Sequence, residues 1–594
     1  MVKGCSFIEK AGDPQDIFVP EEFTEEQKLI KEMVMDFCVK EIQEPMLKRG
    51  RELNATNDED RAEVARLLEK SAELGLCGVA ISEKHGGIDL DFNTGLIFAE
   101  AGAQGFSFAT TIGCQTSIGS LPIVYYGNDA QKDKYLPGVA SAKLKASYCL
   151  TEPNAGSDAN SGKTRAILNE AGTHYVLNGQ KMWITNGGFA DLFIVFAKIN
   201  DDKKLSALIV EKEFGGITIG AEEKKMGIKG SSTVQVFFND CPVPVENLLA
   251  ERGQGFKIAL NILNSGRIKL AAGTTGGCKF SINKAVGYAL ERKQFDTPIA
   301  EFGAIKNKIA KMVVHTFAAD SAVYQVGKKI DLKTAEFKAA GMSDGDSKLK
   351  ALREFAVECA ILKVKGSENA DFVLDETLQI HGGMGYSMET GIEMGYRDAR
   401  ITRIYEGTNE INRMLSVAEL TKRHLKSKEI NLTTAGKKIP GLLFKQMIPF
   451  TSNDEAAIIA NLKACFLLIS GAAGKKLGKK LVDEQEIVMN LADILAEGFL
   501  AEAAYLRVQK LKTNKMVDAD EIAVMEKIVK VYLYEALDMV RTAGNEIIDA
   551  YTSGMNQKTM RYLLSLLTKR YDINAKDLRR DIAEHAYLKK GYSF

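Results

Sequence analysis

The chain has 594 residues, 45% of them hydrophobic, and its 78 Lys and Arg are balanced by 78 Asp and Glu. That length suits several domains with large buried cores, and the zero net charge argues against nucleic acid as the main partner, because phosphate binding needs a basic excess. The nine cysteines are scattered, with no CxxC pair and no short Cys/His spacing. They read as reduced intracellular thiols, not as a disulfide framework or a zinc site.

The opening residues turn acidic at Asp13, Asp16, Glu21 and Glu22 and lack an apolar core segment. Neither a secretory nor a lipoprotein signal is expected, despite Cys5. No stretch approaches the ~18 uninterrupted apolar residues of a membrane span, so a cytoplasmic location is expected. From about Glu21 to Lys145 the pattern is helical. Leu29, Ile30, Met33, Val34, Phe37 and Cys38 make a stripe at helical period, with Thr24 and Gln27 as its capping box. Pro45, Gly75, Gly78, Gly86-Gly87 and Pro122 punctuate this region.

Near Ser147 the period changes to two. His174 to Leu177 and Gln180 to Thr185, separated by Asn178-Gly179, predict two strands joined by a tight hairpin turn. Residues 191–199, 205–211 and 233–239 continue as strands, and the β-region ends near Val245. Long helices are then predicted over 256–292, 302–329, 348–379 and 409–425, lengths that suit a bundle. A polar run from Lys426 through Thr433 to Pro440 marks a linker, and a further helical region follows with a stripe of Ile458, Leu462, Cys465, Phe466 and Ile469. The expected architecture is mainly α with a β-domain insert. It comprises an N-terminal helical domain (20–145), a central β-barrel or sandwich (146–250), a four-helix bundle (251–426), a linker (427–452) and an extra helical domain (453–594).

Several chemistries are argued against by motif. GxGxxG is absent, since Gly383-x-Gly385 continues to Met388; the run from Gly471 to Lys475 is too short for a phosphate loop; and the six histidines show no HExxH spacing. The stretch Arg403-Ile-Tyr-Glu-Gly-Thr-Asn-Glu-Ile-Asn-Arg413 stands out instead. Glu406 sits between an apolar pair and a glycine, ahead of Thr408 or Asn409 as the cap of a new helix. A carboxylate so shielded has its pKa raised toward neutrality, as removal of a weakly acidic C–H proton requires of its base. Taken alone, the commoner reading of such a stretch is a surface Glu in a helix–helix turn.

Five stretches in register overturn that reading: Tyr148-Cys-Leu-Thr-Glu-Pro-Asn-Ala-Gly-Ser-Asp158, Gln180-Lys-Met-Trp-Ile-Thr-Asn186, Glu291-Arg-Lys-Gln-Phe295, Gln379-Ile-His-Gly-Gly-Met-Gly385 and the Glu406 segment. In this order they resemble the FAD-dependent acyl-CoA dehydrogenases over about residues 20–425, and the extension to Phe594 resembles the very-long-chain branch and its bacterial fatty-acid-degrading relatives. The resemblance implies FAD contacts from Tyr148, Leu150, Thr151, Ser157, Trp183, Ile184 and Thr185. It implies a further set from Phe295, Gln379, Gly382, Gly383, Thr408 and Glu410, with Arg292 reaching the diphosphate across a subunit interface, where a guanidinium fork suits anionic oxygens. Ser157, Asn264, Arg267, Tyr405 and Gly407 would touch the acyl-CoA. Trp183, the only tryptophan, suits a β-core aromatic equally well, and His381 reads as structural.

By its match to the family's Glu-Gly-Thr element, Glu406 is the expected catalytic base, taking the α-proton of the thioester while the β-hydrogen leaves as hydride to the flavin. A branch of the family carries its base just before the arginine of the Asn264-Ser-Gly-Arg267 stretch; here that position is Gly266. The implied activity is oxidation of a saturated, long-chain fatty acyl-CoA to trans-2-enoyl-CoA, the first step of β-oxidation, by a homodimer that passes electrons to an electron-transferring flavoprotein. An acyl-CoA oxidase and a catalytically idle scaffold are the competing readings. The acyl tail is expected between helices of the two leading α-regions, near Gly113 to Gly119. His85 and Asn154 depart from residues frequent in relatives. Basic clusters at 475–480 and 579–580 suit anionic lipid, although packing across the dimer is the preferred role for the added domain.

Overall fold

The computed structural model describes residues 3–448 and 454–594. Thr24 accepts from the Gln27 amide while the Gln27 side chain accepts from Thr24 N–H, and this capping box starts the helix Glu25–Phe37. The helices Phe92–Gly102 and Ser107–Gly113 follow, the second running into a π-helical turn at Cys114–Ile118.

The β-region is one eight-stranded sheet: β1 Ala146–Cys149, β2 Arg165–Leu168, β3 His174–Thr185, β4 Leu192–Ile199, β5 Leu205–Glu211, β6 Ile217–Ile219, β7 Thr233–Pro244 and β8 Leu248–Leu249. The order is β6-β7-β3-β2-β4-β5-β8, with β1 parallel to β4. Both faces are buried, as the alternation along β4 displays. Phe193, Val195 and Ala197 enter a core of the sheet's own strands, while Leu192, Ile194 and Phe196 pack with Leu121, Tyr135 and Ile262 from flanking helices.

The hairpin expected at Asn178-Gly179 does not form. β3 runs straight through it, with a bulge between Leu177 and Gly179 against β7. Asn178 exchanges two hydrogen bonds with Asp240, 3.0 Å and 2.9 Å, and a Cβ at position 179 would meet the Thr164 side chain. The glycine therefore serves close packing, not chain reversal.

The helical bundle is built on Gly255–Glu291 and Gly303–Ala339, each 37 residues long. The helix expected over 348–379 is two, Asp344–Glu354 and Ala356–His381, divided at buried Phe355. The Thr408 side chain accepts from Ile411 N–H and caps the last, Asn409–Lys422.

The added region does not stand apart. Its helices Glu455–Leu477, Gln485–Asn514 and Ala519–Tyr551 share one hydrophobic core with the bundle. Fully buried Arg507 pairs with Asp320 at 3.0 Å and Glu21 at 2.7 Å, stacked over Phe317; a buried cation needs such partners to be tolerated. Within the expected linker, short helices form at Leu432–Gly436 and Ile439–Met447. The stretch Glu455–Val482 has the length and mean hydropathy of a membrane span, but its apolar side chains sit largely in the shared core.

Candidate active site

Glu406 and Gly407 both adopt left-handed backbone, with φ 57° and 80°. For a glutamate this conformation costs about 1–2 kcal/mol, so its surroundings must impose it. Asn412 Nδ2 donates to the carbonyls of Gly407 at 2.8 Å and Thr408 at 3.0 Å, and Lys363 Nζ donates to Gly407 O and Asn409 Oδ1, both at 2.7 Å. Lys363 and Asn412 are fully buried. Neither was found in the sequence, where the available signal was a lysine inside the apolar run Ala360-Ile-Leu-Lys-Val364.

This turn aims the Glu406 side chain into a cavity of about 320 Å³. Its Oε2 is buried and has no hydrogen-bond partner. Burial raises the carboxyl to about 7, against the opposing pull of Arg267 and Lys363. Arg267 is itself buried and donates to Asn264 Oδ1 at 2.7 Å. Gly266 makes the arrangement possible, since a Cβ there would lie 2.6 Å from Glu406 Oε2. The side chain of Glu406 thus occupies the space above residue 266.

The cavity runs along one face of Gly255–Glu291, touching Gly266, Lys269, Gly273, Gly277, Phe280 and Lys284. Eighteen residues at about 1.5 Å each give roughly 27 Å of length. The opposite walls come from residues 95–118, including Gly113 to Ile118, and from 391–406. A Cβ at Gly95, Gly102, Gly113 or Gly277 would meet nothing within 4 Å, so these glycines leave the tunnel wide.

The residues expected at a cofactor divide into two groups. Near Glu406, Thr185 lines the cavity and the Tyr148 hydroxyl is buried without a partner. Leu150 and Thr151 continue from β1, and Ser157 is exposed in the loop beyond. Trp183 is 54% exposed with φ 59°, at a register shift of β3, so it is no core aromatic. The Ile184 side chain points into the sheet core, which leaves only its backbone for a ligand. Tyr405 borders the cavity, and exposed Glu410 follows the Thr408 cap.

The second group lies elsewhere. Gly255–Glu291 and Ala356–His381 run side by side in the same direction, since Asn369 meets Cys278, Thr377 meets Ser281 and His381 stacks on Tyr288 at 4.3 Å. Arg292, Phe295, Gln379, Gly382 and Gly383 therefore gather at the far ends, with Arg292 roughly 40 Å along the helix from Gly266. Phe295 is 90% exposed and Gly382 has φ 58° with open space around it. Bare glycine backbone beside an exposed arginine fits a diphosphate, and a half-exposed indole with an unpartnered tyrosine hydroxyl fits a flat heteroaromatic ring. His381 accepts its structural place, bonded to Thr377 O at 2.7 Å. His85 is held by Ser82 and Asp133, away from the cavity. No cluster of metal-ligating side chains occurs among the described residues.

Known proteins match this arrangement over its whole length. Family models for the N-terminal, middle and C-terminal domains of acyl-CoA dehydrogenase match residues 24–143, 147–241 and 253–421, and a further acyl-CoA dehydrogenase C-terminal model matches 461–569. A probable acyl-CoA dehydrogenase of Bacillus subtilis (strain 168) is 39% identical over 595 residues, covering 100% of this chain and 98% of that protein. The mitochondrial very long-chain specific acyl-CoA dehydrogenase of Mus musculus is 34% identical over 543 residues, 88% of this chain and 76% of that one. A crystal structure of an acyl-CoA dehydrogenase complexed with FAD from Bacillus anthracis superposes with a TM-score of 0.95 at 39% identity, each chain covered completely. With four domain models in order, full-length relatives and a strained, desolvated carboxylate at the head of a long apolar tunnel, this chain belongs to the acyl-CoA dehydrogenase family.

Proposed function

We propose that this enzyme oxidises a saturated long-chain fatty acyl-CoA to the trans-2-enoyl thioester, the opening step of fatty-acid β-oxidation, with Glu406 as the base. The observation that carries the reading is the Glu406 carboxylate, buried, unpaired at Oε2 and aimed into the tunnel. FAD, when bound, supplies the acceptor for the β-hydrogen as hydride. The remaining chemistry belongs to the chain. Glu406 takes the α-proton at Oε2; its desolvation matches its basicity to a neutral medium. Lys363 and Asn412 hold the turn that orients it, and Arg267 limits how far its pKa rises. Tyr405 lines the tunnel beside Glu406, and Asn264 Oδ1 accepts from Arg267 and holds that guanidinium in place.

A tunnel lined over roughly 27 Å of helix supports a long-chain substrate. The separation of the two residue groups, roughly 40 Å along the helix, supports a homodimer in which Arg292, Phe295, Gln379, Gly382 and Gly383 serve the FAD of the other copy, while Tyr148, Leu150, Thr151, Trp183, Thr185, Thr408 and Glu410 serve their own. Electrons then pass to an electron-transferring flavoprotein. The setting is the cytoplasm, where the exposed lysines at 475, 476, 479 and 480 suit peripheral contact with an anionic membrane.

The test is flavin bleaching by acyl-CoAs of graded chain length, with turnover compared between oxygen and a one-electron acceptor. Bleaching that peaks at long chains with slow oxygen turnover supports the reading. Fast oxygen turnover moves the enzyme to the oxidases, and no bleaching at any length overturns it.

A further inference from the structure

The tunnel wall carries polar groups that its apolar cargo leaves unused. Lys269 stands one helical turn beyond Gly266 on the same face, and both line the cavity. Its Nζ has one hydrogen bond, to the carbonyl of Thr116 at 3.5 Å, the weak limit of such a bond. Among the described residues it has no carboxylate partner, and burial alone lowers its pKa, to about 8, so that it is still mostly cationic at neutral pH. Beside Thr116, in the same π-helical turn, the Ser117 hydroxyl also faces the cavity, buried and without a partner.

Three further tunnel hydroxyls are satisfied. Thr274, Thr377 and Thr402 each donate to a carbonyl of their own helix. An ammonium and a hydroxyl left together against hydrocarbon are costly. Support of the π-turn carbonyl explains only one weak bond, and leaves two ammonium protons and Ser117 idle. An anionic oxygen would satisfy both groups, with a charge-assisted bond from Lys269 and a donated hydroxyl from Ser117.

Resting on the acyl-CoA reading above, we infer that Lys269 and Ser117 form a subsite for a carboxylate carried on the acyl chain, so that the enzyme also accepts ω-carboxy (dicarboxylyl) acyl-CoA thioesters. The oxidation at the α and β carbons is unchanged; the carboxylate stays ionised and is only bound. The chain length admitted is the one that brings the terminal carboxylate beside Lys269.

The test uses the FAD-loaded full chain with dicarboxylyl-CoA and straight-chain acyl-CoA series of matched length. For the wild type, the ratio of kcat/KM for the two classes peaks at one length. Lys269→Met lowers that peak ratio about tenfold or more, the worth of one charge-assisted hydrogen bond; Ser117→Ala lowers it less, and Lys269→Arg retains a peak. Equal losses on both substrate classes in Lys269→Met assign Lys269 to support of the π-turn and overturn the inference. Wild-type turnover of straight chains alone overturns it as well, whereas inertness toward both classes overturns the acyl-CoA reading beneath it.

Discussion

Replacing Glu406 with glutamine removes the proposed base and also a strained ionisation, and the two effects are separable. The carboxyl is raised from an ordinary 4.5 to about 7 by burial. Between those values the folded protein holds a proton that the unfolded chain has released, so stability falls as pH rises through the window. The penalty is absent below 4.5 and complete above 7, where it reaches about 3 kcal/mol at about 1.4 kcal/mol per pH unit. Glutamine has the same shape and never ionises. The Glu406→Gln variant should therefore match the wild type near pH 4.5 and gain on it steadily, by up to about 3 kcal/mol near pH 8. For a chain of this size that is about 2 °C in Tm if unfolding is cooperative. Thermal melts of FAD-loaded protein across this range provide the assay, with bleaching by substrate read on the same samples. Bleaching should be lost while FAD and acyl-CoA still bind. A Tm difference that does not vary with pH would refute the account of Glu406 as a desolvated carboxyl, and substantial bleaching would show that a different base operates.

Gly266→Ala places a methyl group 2.6 Å from Glu406 Oε2; displacing a catalytic group by about 1 Å costs on the order of a hundredfold in kcat, with FAD content retained, and an unchanged kcat would mean the carboxylate has freedom to move aside. Arg292→Ala should weaken FAD retention by about tenfold or more through loss of a charge-assisted contact to the diphosphate; equal FAD content after dialysis would remove Arg292 from the site. Gly277→Leu should shift the chain-length optimum downward, because position 277 faces open tunnel. An unmoved optimum in bleaching profiles would show that acyl chains do not pass this point.

Local chemistry was legible where a short stretch of chain supplies both partners of an interaction. The Thr24 and Gln27 capping box, the strand Leu205–Glu211 and the helix beginning at Gly255 lie where or nearly where periodicity and capping residues put them. The mainly helical architecture with its β-insert was likewise readable from the change of period near Ser147. Asn178-Gly179 was misleading because its role depends on Asp240 and Thr164, which are distant in sequence. The single helix expected over 348–379 failed at Phe355, whose burial in the shared core breaks a run that periodicity alone would continue.

The succession of helical and β regions and the Glu-Gly-Thr element could be read without coordinates, because capping, periodicity and family motifs are written in neighbouring residues. Packing between distant segments was needed to reveal that Lys363 and Asn412 hold the Glu406 turn, that Gly266 clears the space its carboxylate fills, and that the residues expected at the cofactor divide between two ends of one long helix. Desolvation, tunnel length and the separation of distant groups arise from which surfaces pack together, and no stretch of chain encodes them alone.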